Sequence, residues 1–167
     1  MPEAVHQVHP FPPLFDSESQ ILILGSFPSV KSREGQFFYH HPQNRFWRVL
    51  AGVLNTAVPM TIEEKSALLH AHHIALWDVI AGCEITGSTD SSIRNVVPND
   101  LSPIFKAADI QAVFCNGGTS YNYYKKYTEA AVGFTAHKLP STSPANAAWS
   151  LERLIGAWQE ITKWLQL

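Results

Sequence analysis

An α/β fold, three layers deep with an open, mainly parallel four-stranded sheet and helices on both faces, is what this sequence predicts. Two observations carry the prediction. Three short apolar runs, at 20–24, 73–79 and 110–115, and a weaker strand at 135–139 alternate with segments of helical period, the order of a sheet whose parallel strands are joined by crossover helices. The 167 residues are 46% hydrophobic and only 16% charged, enough apolar material for one core without disulfide or metal support. The expected organisation is an irregular N-terminal arm over 1–19, rich in proline, followed by a single domain over 20–167.

Each element has a local reason. Gln20 to Leu24 is a buried strand closed by Gly25-Ser26-Phe27-Pro28-Ser29, where Pro28 opposes immediate helix formation. Phe46, Trp47, Leu50, Val53 and Leu54 then mark one helical face, with Asn44 as its candidate N-cap. Thr61 and Glu64 form a capping box for a helix running to about His70. His73 to Val79 is the second strand, Val97 to Asp100 punctuates the chain, and a short helix covers Leu101 to Ala108. Ile110 to Cys115 is the third strand, halted by Asn116-Gly117-Gly118, and a tyrosine-rich helix spans about Thr119 to Ala131. A weaker fourth strand at 135–139 ends in Leu139-Pro140-Ser141-Thr142-Ser143-Pro144, and Leu151, Leu154, Ile155, Trp158, Ile161 and Leu165 complete a C-terminal helix.

Composition narrows the function classes. The net charge of −2 with 12 scattered Lys and Arg offers no basic stripe, so any polyanion must be gripped locally. The densest basic group is Lys31, Arg33, Arg45 and Arg48. No stretch is long and apolar enough to span a bilayer and the N-terminus lacks a signal-peptide pattern, so an intracellular, cytoplasmic protein is expected. Cys83 and Cys115 are read as buried free thiols. His40, His41, His70, His72 and His73 lack the acidic or cysteine partners of a metal site, and Gly118-Thr119-Ser120-Tyr121-Asn122 misses the last glycine of a nucleophile elbow. Asp90 reads as a helix cap or loop anchor.

In an open parallel sheet the ligand sits beyond the carboxyl ends of the strands. The loops there should therefore face one cleft: Gly25 to Ser29 with its aromatic extension through His41, Asn116 to Gly118, and Leu139 to Pro144. An aromatic platform beside a rigid Ser/Pro loop suits a flat heteroaromatic ligand.

The ordered stretches GSFPS (25–29), FFYHHPQNRFW (37–47), ALWDVI (75–80), GSTDSSI (87–93), FCNG (114–117) and LPSTSPA (139–145) resemble the uracil-DNA glycosylase superfamily. The resemblance spans about residues 20–165 and is nearest the hypoxanthine-DNA (deoxyinosine) glycosylase branch, with the mismatch-specific uracil glycosylases next. It implies a monofunctional, monomeric glycosylase that needs no cofactor or metal and acts on DNA containing deaminated bases, hypoxanthine or uracil. Such an enzyme flips the base out and hydrolyses its C1′–N bond.

Carried onto this chain, the resemblance implies that Asn44 positions the attacking water, because Phe27 stands where relatives hold a catalytic Asp or Asn. Tyr39 would stack on the flipped base. Leu139 replaces a side-chain donor for the leaving base, which shifts that task to backbone N–H groups around Gly25, Ser26 and Phe27 and to Asn116. Ser141, Thr142, Ser143 and Pro144 would enter the duplex and grip phosphate. Bland readings stand beside these: Asn44 as a helix cap, Tyr39 as core, Asn116 as a turn residue. So do two rival functions, a nucleotide-binding module using Gly117-Gly118 and a DNA-binding relative without turnover.

Overall fold

The computed structural model describes residues 5–87 and 89–165; Met1 to Ala4 of the expected arm, Ser88 of the GSTDSSI stretch and the last two positions lie outside them. Four strands form a parallel sheet: β2 (Ile21–Gly25), β3 (Ile74–Asp78), β6 (Ala112–Asn116) and β7 (Ala136–Leu139), in the order β3-β2-β6-β7. Every residue of β2 and β3 is buried, which requires cover on both faces. That is the predicted α/β architecture. Gly25 lies opposite Asp78, and Asn116 opposite Leu139, so the carboxyl ends of all four strands share one edge.

The helices between the strands are α1 (Val30–Gly35), α2 (Phe46–Leu54), α3 (Ile62–Ala71), α4 (Ser102–Ala107), α5 (Gly118–Tyr127), α6 (Glu129–Val132) and α7 (Leu151–Trp158). The Thr61 and Glu64 capping box forms as predicted. α2 and α7 pack through the edge-to-face pair of Phe46 and Trp158, 5.8 Å between centroids and both fully buried. Burial of each such ring stabilises the fold by about 1.5–3 kcal/mol. Trp158 also donates its indole N–H to the Pro140 carbonyl at 2.9 Å, tying α7 to the loop after β7.

Several sequence expectations need correction. The arm is not wholly irregular: β1 (Val5–Val8) pairs antiparallel with β4 (Ile80–Ile85), which pairs with β5 (Arg94–Pro98), making a second, three-stranded sheet. The 97–100 punctuation therefore begins inside a strand. Farther along the arm, Leu14 exchanges backbone hydrogen bonds with Leu76, so residues beyond β1 are also fastened to the domain.

The loop after Pro28 forms α1, because the Ser29 hydroxyl caps it by accepting from the Ser32 N–H at 3.2 Å. The tyrosine-rich helix breaks at Thr128, and the C-terminal helix passes into 3₁₀ turns over Gln159–Trp164. No helix among the described residues is long and apolar enough to cross a membrane.

Candidate active site

A cleft of about 590 Å³ opens at the carboxyl edge of the parallel sheet. Gly25, Ser26, Phe27, Tyr39, Asn44, Asn116, Ser141, Thr142, Ser143 and Pro144 all line it, so the candidate water-positioning, base-binding and strand-gripping residues are gathered in one place, while Leu139 and Gly117-Gly118 lie outside its lining. Asp78, Asp90 and His41 line it as well.

Tyr39 has one ring face laid on Phe46, with centroids 4.0 Å apart and planes inclined by 16°. Its backbone is left-handed, φ 51°, an uncommon conformation for an aromatic residue and one held here by the packing around it. The hydroxyl is buried and makes no hydrogen bond of standard geometry among the described residues, although the Asn116 side chain lies close enough to favour its ionised form a little, while the residue as a whole is only half-buried. Burial, and then the nearby Asp78 carboxylate, raise the Tyr39 pKa, so the phenol stays protonated.

Asn44 is not the N-cap residue by backbone geometry, since α2 starts at Phe46 and Arg45 occupies the cap without a side-chain bond. Its amide still performs that task one residue earlier: Oδ1 accepts from the Phe46 N–H at 2.9 Å. The same oxygen accepts from the Thr142 hydroxyl at 2.8 Å. Because a backbone N–H can only donate, the amide orientation is fixed and the Nδ2–H₂ group is left for the cleft. Asn44 thus offers a donor there.

Asn116 holds Thr142 at two points, Nδ2 donating to Oγ1 at 3.0 Å and Oδ1 accepting from the Thr142 N–H at 3.0 Å. The hydroxyl in turn donates to Asn44, giving a directed chain from Asn116 through Thr142 to Asn44. This corrects the expectation for Thr142. It is fully buried, its N–H and hydroxyl are spent inside the protein, and its carbonyl accepts from the Arg45 N–H, so it braces the loop instead of reaching phosphate. Ser141, Ser143 and Pro144 retain exposure. Gly117, at φ 94°, lets the loop approach: a Cβ there would lie 3.0 Å from the Ser141 Cβ.

Phe27 forms a wall of the cleft and anchors the smaller core of the second sheet with Ile80, Cys83, Ile85 and Ile93. Leu139 is buried and contributes its carbonyl, which accepts from the Gly117 N–H at 2.8 Å. Burial raises the pKa of the Asp90 carboxyl, and hydrogen bonds from Thr119 and Ser26 oppose that rise. Both cysteines are free and buried, and burial pushes the Cys115 thiol up to about 12, unsuited to nucleophilic work. The histidines are dispersed, His70 onto Asp16 and His72 onto the Leu68 carbonyl.

Sequence reasoning missed two participants and gave a different role to two others. Asp78 ends β3 inside the cleft, and His9, from the arm, holds it at 2.7 Å. Arg45 turns inward and donates to the carbonyls of Ser143, Asn146 and Trp149. Arg33 likewise donates through one NH₂ group to the Gly87 carbonyl at 2.6 Å, so two of the four basic residues read from the sequence are engaged within the protein. The one available signal was position: Asp78 is the polar end of an otherwise apolar strand.

The family model of the uracil DNA glycosylase superfamily matches residues 12–162, a span that includes all the cleft residues named above, and the chain belongs to that superfamily. Among its relatives, a hypoxanthine DNA glycosylase of Methanosarcina acetivorans is 33% identical over 144 residues, 86% of this chain and 90% of that one. A hypoxanthine DNA glycosylase of Methanosarcina barkeri is 33% identical over 156 residues, 92% and 96% of the two chains. A solution NMR structure from M. acetivorans, provisionally assigned as a uracil DNA glycosylase, superposes with a TM-score of 0.75 at 30% identity, covering 91% of this chain and 96% of that one.

Proposed function

We propose that this chain is a monomeric, monofunctional DNA glycosylase that extrudes hypoxanthine from DNA and hydrolyses its C1′–N9 bond, with uracil as a second substrate. The observation that carries the reading is the convergence, on one cleft wall, of the Tyr39 ring backed by Phe46 and the fixed Nδ2–H₂ group of Asn44. The relatives named hypoxanthine DNA glycosylase support the choice of base.

In this mechanism the flipped base lies against the face of Tyr39 turned away from Phe46. The C1′–N9 bond breaks with its electron pair passing to the base, helped by backbone N–H groups near Gly25 to Phe27. Asn44 Nδ2–H holds a water by one lone pair while the other is directed at C1′. As the C1′–O bond forms, the water's proton is released to solvent. A cation as electrophilic as the sugar needs an oriented water more than a strong base. No lysine lines the cleft among the described residues, which accords with hydrolysis in place of amine attack. Ser141, Ser143 and Pro144 supply the contacts to the strand.

Single-turnover assay of duplexes carrying one hypoxanthine, one uracil or neither, followed by alkali, tests the reading. Alkali-dependent cutting at hypoxanthine is expected, and no cutting of single- or double-stranded substrate by the folded protein would overturn it. Tyr39→Ala is expected to weaken binding of a non-cleavable lesion duplex by about 1–3 kcal/mol in fluorescence anisotropy. Tyr39→Phe should bind within a few-fold of the parent protein, since the hydroxyl it removes makes no hydrogen bond of standard geometry and only a weak interaction with the Asn116 side chain. Equal affinity for the alanine variant would make the ring scaffolding.

A further inference from the structure

The acidic residues of this chain are unevenly spread. Between Ile110 and Leu151 the sequence holds Glu129 as its single carboxylate side chain, against Lys125, Lys126 and Lys138. The fold gathers two of those cations on one ring: Lys125 Nζ lies 5.4 Å and Lys138 Nζ 5.9 Å from the centroid of Tyr121. Lys125 reaches the ring from one turn farther along α5, and Lys138 reaches it from β7, against which α5 packs. Tyr121 is half-buried against the main core, so its ring is a fixed support for both ammonium groups. Both lysines are exposed, and neither makes an ion pair among the described residues. Two cations held over one ring repel each other, and an anion bound in front of them relieves that repulsion.

We propose that Lys125 and Lys138 form a second DNA contact outside the cleft, gripping phosphates of the duplex arm that flanks the extruded nucleotide. Position selects this partner. Gly117, the residue that opens α5, packs against Ser141, and Lys138 leads through Leu139 into the Ser/Pro loop, so the lysines are continuous with the rim of the cleft. At helical rise Lys125 lies about 12 Å along the chain from Gly117, roughly the axial span of three or four phosphates on one strand. Chemistry selects the backbone over the bases. With ammonium groups over its ring, Tyr121 is not a stacking platform, and the cations meet the phosphates that every sequence presents. The contact therefore holds the flanking arm whatever base occupies the cleft, and gives a chain of net charge −2 a local grip on a polyanion. The inference rests on the reading that the cleft acts on DNA.

Binding is measured by fluorescence anisotropy, across a range of salt concentrations, on a duplex with a central tetrahydrofuran abasic analogue and long arms. Lys125→Ala/Lys138→Ala is expected to weaken binding about tenfold and to reduce the slope of log affinity against log salt by about two. The comparison pair, Lys106→Ala/Lys163→Ala, removes the same charge from exposed residues remote from the cleft. Lys106 is in the last turn of α4, which leads toward the amino end of β6, and Lys163 lines a groove with Gln20 and Gln111 at the amino edge of the sheet. That pair should stay within about twofold of the parent, because charges beyond a Debye length are screened. An unchanged slope in Lys125→Ala/Lys138→Ala, or an equal loss in the comparison pair, overturns the proposal.

A second measurement locates the contact. Two further duplexes have either the 5′ or the 3′ arm cut to about two base pairs, short of the reach of Lys125. The deficit of Lys125→Ala/Lys138→Ala relative to the parent should vanish for one shortened arm and persist for the other. A deficit indifferent to which arm is shortened overturns the proposal. The excision assay keeps the two readings apart. A parent protein that cuts at hypoxanthine while the lysine pair alters no binding overturns this surface alone. A parent protein that cuts neither hypoxanthine nor uracil overturns the functional reading, whatever the lysines do.

Discussion

Asn44→Ala is expected to lower the single-turnover rate of base excision by about 10²-fold or more. The alanine also removes the acceptor for the Phe46 N–H and the Thr142 hydroxyl, so a stability loss of about 1 kcal/mol should accompany it. Rate and stability must therefore be separated, and Asn44→Asp separates them. A carboxylate keeps both acceptor contacts, which should hold the melting temperature near that of the parent, but it presents an oxygen to the cleft in place of Nδ2–H₂. If the donor orients the water, excision stays low in Asn44→Asp despite the intact fold. Parent-like turnover in that variant would show that an acceptor serves equally well, and near-normal turnover in Asn44→Ala would reduce Asn44 to a cap.

The parts of this molecule legible in the sequence are those built from contiguous residues. Three of the four strands of the parallel sheet announce themselves as apolar runs because both their faces are covered, whereas β7 at the sheet's edge is polar and only partly buried; the three cleft loops follow because strand ends in such a sheet share an edge. The second sheet left no such trace. Val5–Val8 and Arg94–Pro98 are largely exposed edge strands, and the pairing of β4 with β5 is broken by register shifts, so neither a long apolar run nor a clean alternation marks them. Polar contacts between distant residues are equally silent. His9 and Asp78 meet across 69 positions, and the Asn116, Thr142 and Asn44 chain is closed by pairs 26 and 98 positions apart. The resemblance of its segment marked Asn44 as important without saying which end of its amide would face the ligand.

Arg45 gives the other large expected effect, because its sequence reading and its structural role lead to opposite experiments. As part of a basic group it would be a phosphate contact. In the fold its guanidinium donates to the Ser143 carbonyl at 3.2 Å, the Asn146 carbonyl at 3.0 Å and the Trp149 carbonyl, while its backbone N–H donates to the Thr142 carbonyl at 3.0 Å. It is the clamp of the segment between β7 and α7. Arg45→Ala leaves three carbonyls without their charged donor and should cost on the order of 2 kcal/mol of stability, with faster amide exchange over residues 141–149. The loosened loop must then be ordered on binding, so affinity for an abasic-analogue duplex should fall about tenfold.

Arg45→Lys should rescue little, since one ammonium cannot reproduce a planar fork reaching three carbonyls. The salt dependence separates the two roles. Loss of a phosphate contact reduces the slope of log affinity against log salt by about one, whereas loss of an internal clamp weakens binding and leaves that slope unchanged. A reduced slope with unaltered exchange at 141–149 would return Arg45 to the DNA surface.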